Sequence, residues 1–336
     1  MHDTQRETDT GWIGVDADDD LDQRLAGESD AFDPTRPHVM TALGPILPAA
    51  LGVTFVHETV VNRSAETASD LEPGAAIDHA TLAELEVLFA VGGRTVVDTG
   101  SAANARLLSR LRWIAGRAPT HLIAVARLDA VDRDWRQSGG ERLVHQLTVG
   151  SGEPPLRPGL ILVDAERPAA AAVMTEIVHA TAQAHRTTGV PIMLRCGETS
   201  IALRLLDTLV GDGVSATRVL VGGFTTATSL DEELKLLATG AYRAFDRVAR
   251  DAPDAARQDA AAIHTLIERG FGEQLLLSPG LRPRGDPLAR RTGADWGWLL
   301  ERFTIDLMEA GIDASRVRRL LVDNPAQLLA IQPEQQ

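Results

Sequence analysis

The chain has 336 residues, 44% of them hydrophobic, with a formal charge of −14 at neutral pH. That length can bury a sizeable core in one large domain or two modest ones. Residues 1–34 hold eleven acids against two arginines, a charge of −9 that leaves only −5 for the rest of the chain. A chain so charged offers no basic face to phosphates, which excludes nucleic-acid binding.

No window reaches the roughly 18 consecutive apolar residues of a membrane span, and the N-terminus lacks the basic-then-apolar order of a secretory signal, so a cytoplasmic protein is expected. Cys196 is the sole cysteine, so neither an internal disulfide nor a thiolate metal cluster can form. Lys235 is the only lysine, against 32 arginines. No strand therefore carries a lysine able to form a Schiff base or a bridging carbamate.

In chain order, the acidic run Asp16 to Asp22 and the low apolar content of its surroundings predict an acidic, mobile N-terminal arm over residues 1–36. From Val39 onward, short β-branched or Leu-rich runs alternate with amphipathic stretches, the pattern of βα units with a parallel sheet. The predicted strands are 52–58, 94–100, 121–127, 159–165, 191–197, 218–224, 242–248 and 273–279. The long helix before the fifth spans 168–189, with Pro168 near its start and Gly189 at its stop. Eight strands with helices in the intervals predict an α/β protein, a (β/α)₈ TIM barrel over residues 37–336. An open doubly wound sheet is the alternative, but its glycine-rich phosphate turn is absent.

Five segments, in order, resemble the phosphotriesterase-like family of the amidohydrolase superfamily, metal-dependent hydrolases of organophosphates, lactones and related esters. TALGPILPAALGVTFVHE (41–58) resembles its opening hairpin and first strand, and LFAVGGRTVVDTGSAANAR (88–106) its second strand and loop. AHRTTGVPIML (184–194) resembles the approach to strand five, GAYRAFDRV (240–248) strand seven, and LMEAGIDASRVRRLLVDNPAQLLAI (307–331) the closing helices.

The resemblance implies a binuclear metal centre held by a His-x-His pair, a carbamylated lysine, two further histidines and an aspartate. At those positions this sequence has His57 and Thr59, Leu162, Arg195, Gly223 and Gly280, so one ligand of six is retained. No metal and no other cofactor is therefore expected. Glycine and leucine have no donor atom, and Arg195 puts a fixed positive charge where a cation should sit.

His57, Arg195 and Asp98 are the candidate catalytic residues, because barrel chemistry is carried at the C-terminal strand ends. Arg127, Asp164, Glu198, Gly223, Asp246, Arg247 and Gly280 are the candidate substrate-binding residues. Arg282 and Arg284 add to the arginines near the mouth and point to an anionic small-molecule ligand. Simpler readings stand beside these: His57 as an inert relict, Arg195 paired internally with Asp98, Asp164 or Glu198, the glycines as relaxed backbone, Asp98 and Asp246 as scaffold, Cys196 as a small buried hydrophobe.

Three functional readings stay open: a metal-independent enzyme acting on a small anionic substrate, a non-catalytic pseudoenzyme binding a ligand or partner, and a metal-dependent ester, lactone or phosphotriester hydrolase. The resemblance also implies pairing as a homodimer.

Overall fold

Eight largely apolar runs, buried at all but His121 and Arg195, form one parallel sheet, as expected of strands covered on both faces. The computed structural model describes residues 33, 35–61, 74, 76–101, 104–129, 138–167, 169–224, 228–248, 253–281 and 295–332. The expected arm, apart from Asp33, Thr35 and Arg36, falls outside them, as do Arg282 and Arg284.

A short antiparallel hairpin opens the fold, with β1 (Val39–Thr41) paired to β2 (Gly44–Ile46). The barrel strands follow: β3 (Val53–Glu58), β4 (Gly93–Asp98), β5 (His121–Ala126), β6 (Leu160–Asp164), β7 (Ile192–Arg195), β8 (Val219–Gly222), β9 (Tyr242–Phe245) and β10 (Leu275–Leu277). Each pairs with its sequence neighbour, in the order β3 to β10. The barrel is nearly closed, and the two outermost strands are joined beyond their ends, where the His57 N–H donates to Ser278 Oγ (3.1 Å) and the Thr59 N–H to the Leu281 carbonyl (3.1 Å).

Helices α1 (Ala76–Ala90), α2 (Ala105–Ala115), α3 (Gly139–Thr148), α4 (Ala171–Thr188), α5 (Thr199–Gly211), α6 (Leu230–Leu237) and α7 (Pro253–Leu266) fill the successive intervals. Their ends follow local chemistry. Asn104 caps α2 by accepting from the Arg106 and Leu107 N–H groups, Ser229 and Glu232 form a capping box on α6, and Gly189 ends α4 at φ 68°, a left-handed turn that glycine adopts freely. None of the helices among the described residues is long and apolar enough to cross a membrane.

The core is layered. Val56, Val97, Ile123, Val125, Leu160, Leu162, Met193, Leu220, Ala244 and Leu276 fill the barrel interior, while larger clusters lie between strands and helices. The run VDNPAQLL is tied to the barrel. Asn324 Nδ2 donates to the carbonyls of Gly272 (2.9 Å) and Leu275 (2.7 Å), tying the closing helix to the start of β10.

Candidate functional site

Alternation with period two decides which side chains enter the barrel. Val125, Leu162, Met193, Leu220, Ala244 and Leu276 lie in its interior cluster. The residues two further along, Arg127, Asp164, Arg195, Gly222, Asp246 and Ser278, form the next layer toward the C-terminal mouth. β3 joins this layer through an irregular register between Phe55 and Glu58, the kind of local break that re-aims side chains.

Asp164 and Arg195 are neighbours across the β6–β7 ladder. Arg195 Nε donates to Asp164 Oδ1 (3.0 Å) and its Nη2 to Oδ2, a bidentate pair. Asp164 also accepts from Arg167 Nε (2.8 Å) and lies 3.6 Å from Arg127 Nη1. Burial, then the charge of nearby Arg167, brings Arg127 down to about 10. Glu166 lies 3.5 Å from Arg195 Nε and accepts from Arg247 Nη2.

On the other side, His57 Nδ1 sits 2.5 Å from Asp246 Oδ2, and the Gly223 N–H approaches both Asp246 oxygens (3.0 and 2.8 Å). Burial pushes the Asp246 carboxyl up, but the pairing with His57, the charge of Arg243 and the Gly223 N–H outweigh it and hold it at about 2. Arg195 Nη1 stands 3.4 Å from His57 Nε2. A guanidinium can only donate, so Nε2 carries the lone pair and Nδ1–H points at Asp246. The structure thus joins Asp164, Arg195, His57 and Asp246 in one chain of contacts, with Arg127, Arg247 and Gly223 at its flanks.

Asp98 and Glu198 stand apart from this chain. Asp98 is fully buried, and its carboxylate accepts from the N–H groups of Val60 (2.7 Å), Val61 (3.3 Å), Gly100 (3.2 Å) and Ser101 (2.9 Å), which fixes the loops after β3 and β4. Burial raises its carboxyl against those donors. Glu198 is exposed at the start of α5, with Ser200 Oγ at 3.4 Å.

The glycines have tight backbone roles. At Gly223 (φ 84°) a Cβ would lie 2.6 Å from Arg195 Cγ, and at Gly280 (φ 73°) 2.4 Å from the Asp246 carbonyl oxygen. Neither glycine leaves open space, because Arg195 takes it at the first position and backbone takes it at the second. Cys196 is buried, and burial pushes its thiol up to about 12, which disfavours the thiolate.

Three residues that the sequence pattern does not single out matter here: Glu166 and Arg167, directly after β6, and Glu58. Glu58 Oε1 accepts from Ser278 Oγ (2.6 Å) and the Gly280 N–H (3.0 Å), and Oε2 from the Leu281 N–H, so it holds the loop that closes the barrel. Burial pushes its carboxyl up to about 8 against the pull of those three donors, with the charge of Asp246 adding to the rise.

Five of the six positions that the resemblance assigns to a binuclear metal centre carry no usual metal ligand. Leu162 is packed in the apolar interior, Gly223 and Gly280 offer no donor, and Arg195 brings a cation to the spot. His57 Nδ1 is taken by Asp246, and the Arg195 guanidinium stands 3.4 Å from Nε2, on the side from which an ion would approach. Among the described residues no group of three His, Cys, Asp or Glu is placed to hold an ion.

Known proteins share both sequence and fold with this chain. A phosphotriesterase homology protein of Mycobacterium tuberculosis is 25% identical over 321 residues, covering 87% of this chain and 97% of the relative. An N-acetyltaurine hydrolase of Salmo salar is 23% identical over 350 residues, with the same shares. The solved structure of the phosphotriesterase from Mycobacterium tuberculosis has the same fold, with a TM-score of 0.76 at 21% identity over 88% of this chain and 99% of that one. The phosphotriesterase family matches residues 37–329, a span that takes in the opening hairpin, all eight barrel strands and the closing helices, and the chain belongs to that family.

Proposed function

We propose that the protein is a metal-independent enzyme of the phosphotriesterase family, with His57 as general base, Asp246 as the group that orients it, and Arg195 as the cation facing a small anionic substrate. The observation that carries this reading is the His57–Asp246 pair at 2.5 Å, with Nε2 left as a lone pair toward Arg195. A carboxylate on Nδ1 fixes the tautomer and stabilises the imidazolium formed when Nε2 takes a proton from water or substrate. Arg195 then lies beside the negative charge that develops. The compound named for the Salmo salar relative, N-acetyltaurine, is a small amide bearing a sulfonate, in keeping with an anionic substrate.

One observation favours binding without turnover: Arg195 already commits Nε and Nη2 to Asp164. A panel of esters, lactones, N-acyl amino acids and N-acyl sulfonates, assayed in excess chelator, separates the readings. The enzyme reading expects turnover that persists in chelator and falls by about 10²- to 10⁴-fold in His57→Asn. Turnover abolished by chelator overturns it, and binding without turnover selects the pseudoenzyme.

A further inference from the structure

We infer that Arg195 and Arg247 together form the subsite for the substrate's anionic group, and that Glu166 fills this subsite in the ligand-free protein as an internal, displaceable anion. The inference rests on the reading of the mouth as a substrate site, but not on His57 acting as a base.

The geometry starts from the glycine pair between the two arginines. Arg195 ends β7 and Arg247 follows β9, while β8 between them ends in Gly222 and continues to Gly223. A Cβ at Gly223 would lie 2.6 Å from Arg195 Cγ and 3.3 Å from Glu166 Oε1, so the stem of Arg195 and the Glu166 carboxylate share the gap a side chain there would fill. From that gap it meets Arg195 Nε at 3.5 Å and accepts from Arg247 Nη2. Two guanidiniums that share one carboxylate repel each other unless an anion lies between them. Glu166 is that anion, and a ligand carboxylate, sulfonate or phosphate offers two oxygens in the same arrangement.

Exposure separates the fixed partner from the exchangeable one. The Asp164 side chain is 2% exposed and grips Arg195 from the buried side, whereas Glu166 is 23% and Arg247 34% exposed. A buried bidentate pair is costly to break, but a rim ion pair contributes little and can be replaced by a competing anion. Glu166 also sits in the turn directly after β6, so its side chain can swing aside without disturbing the sheet.

Calorimetric titration of the full chain with acetate, methanesulfonate and inorganic phosphate tests this. Removing the internal competitor in Glu166→Gln should tighten binding of at least one probe by about fivefold, the range of a rim ion pair. Glu166→Ala should change it in the same direction, and Arg247→Met should abolish it. Unchanged or weaker binding in both Glu166 variants, or no binding of any probe, overturns the inference. Binding of the probes and turnover of the substrate panel are separate readouts, so the subsite and the general base can fail independently.

Discussion

At Arg195 the guanidinium has Asp164 on one side, His57 on another and Glu166 toward the rim. A charge so surrounded organises its neighbours: it dictates the His57 tautomer, and it holds Asp164 where Arg127 and Arg167 also converge. Glu58 plays a comparable part for the closing loop, with a consequence for pH. Its carboxyl is pushed up to about 8, above its value of 4.5 in an unfolded chain, so between those values the folded state holds a proton that the unfolded state gives up. Its contribution to stability is therefore full below pH 4.5 and declines as pH rises to about 8, at most by about 1.4 kcal/mol per pH unit. Urea unfolding of the parent and of Glu58→Gln at a series of pH values should show this decline in the parent and a flatter profile in the variant. Identical profiles would mean that Glu58 is ionised in the fold.

At the scale of the strands, the polar layer is set by backbone register, and two glycines hold its shape. Gly223 and Gly280 have positive φ, where side chains are strained, and each would place a Cβ against a neighbour. The neighbour differs. At Gly223 it is the stem of Arg195, a side chain whose guanidinium Asp164 holds, and at Gly280 it is the Asp246 carbonyl oxygen, part of the backbone that follows β9. Gly280→Ala is therefore expected to cost more than Gly223→Ala, with both in the range of about 1–3 kcal/mol. Equal unfolding midpoints for the two variants would count against this view of the barrel rim.

Alternation also explains what is legible in the sequence. All eight strands can be read from their apolar runs, because parallel strands are buried on both faces, and each predicted run overlaps the observed strand. The runs extend past the strand ends because the apolar and glycine-rich pattern continues into the loops. At the site, period two counted from Leu162, Met193 and Ala244 leads to Asp164, Arg195 and Asp246, while Asp98 follows Val96, which packs in an outer cluster. Glu166 lies one further step of two beyond Asp164, whereas Arg167 falls off that count. Their ion pairs, and the contacts through which Glu58 holds the closing loop, join strands distant in sequence, which no local pattern encodes.

For the molecule as a whole, membership of the phosphotriesterase family accounts for the hairpin, the barrel and the closing helices, and the polar layer lies at the C-terminal mouth of that frame. Five of the six positions that the resemblance assigns to metal ligands carry Thr59, Leu162, Arg195, Gly223 and Gly280, and a network of guanidinium and carboxylate groups stands in their place. The metal-independent reading is tested most directly by elemental analysis of protein purified without chelator from cells grown with added zinc, manganese, cobalt and iron. No stoichiometric metal is expected in the purified chain. One or two ions per chain, lost on substitution of His57 by asparagine, would contradict it.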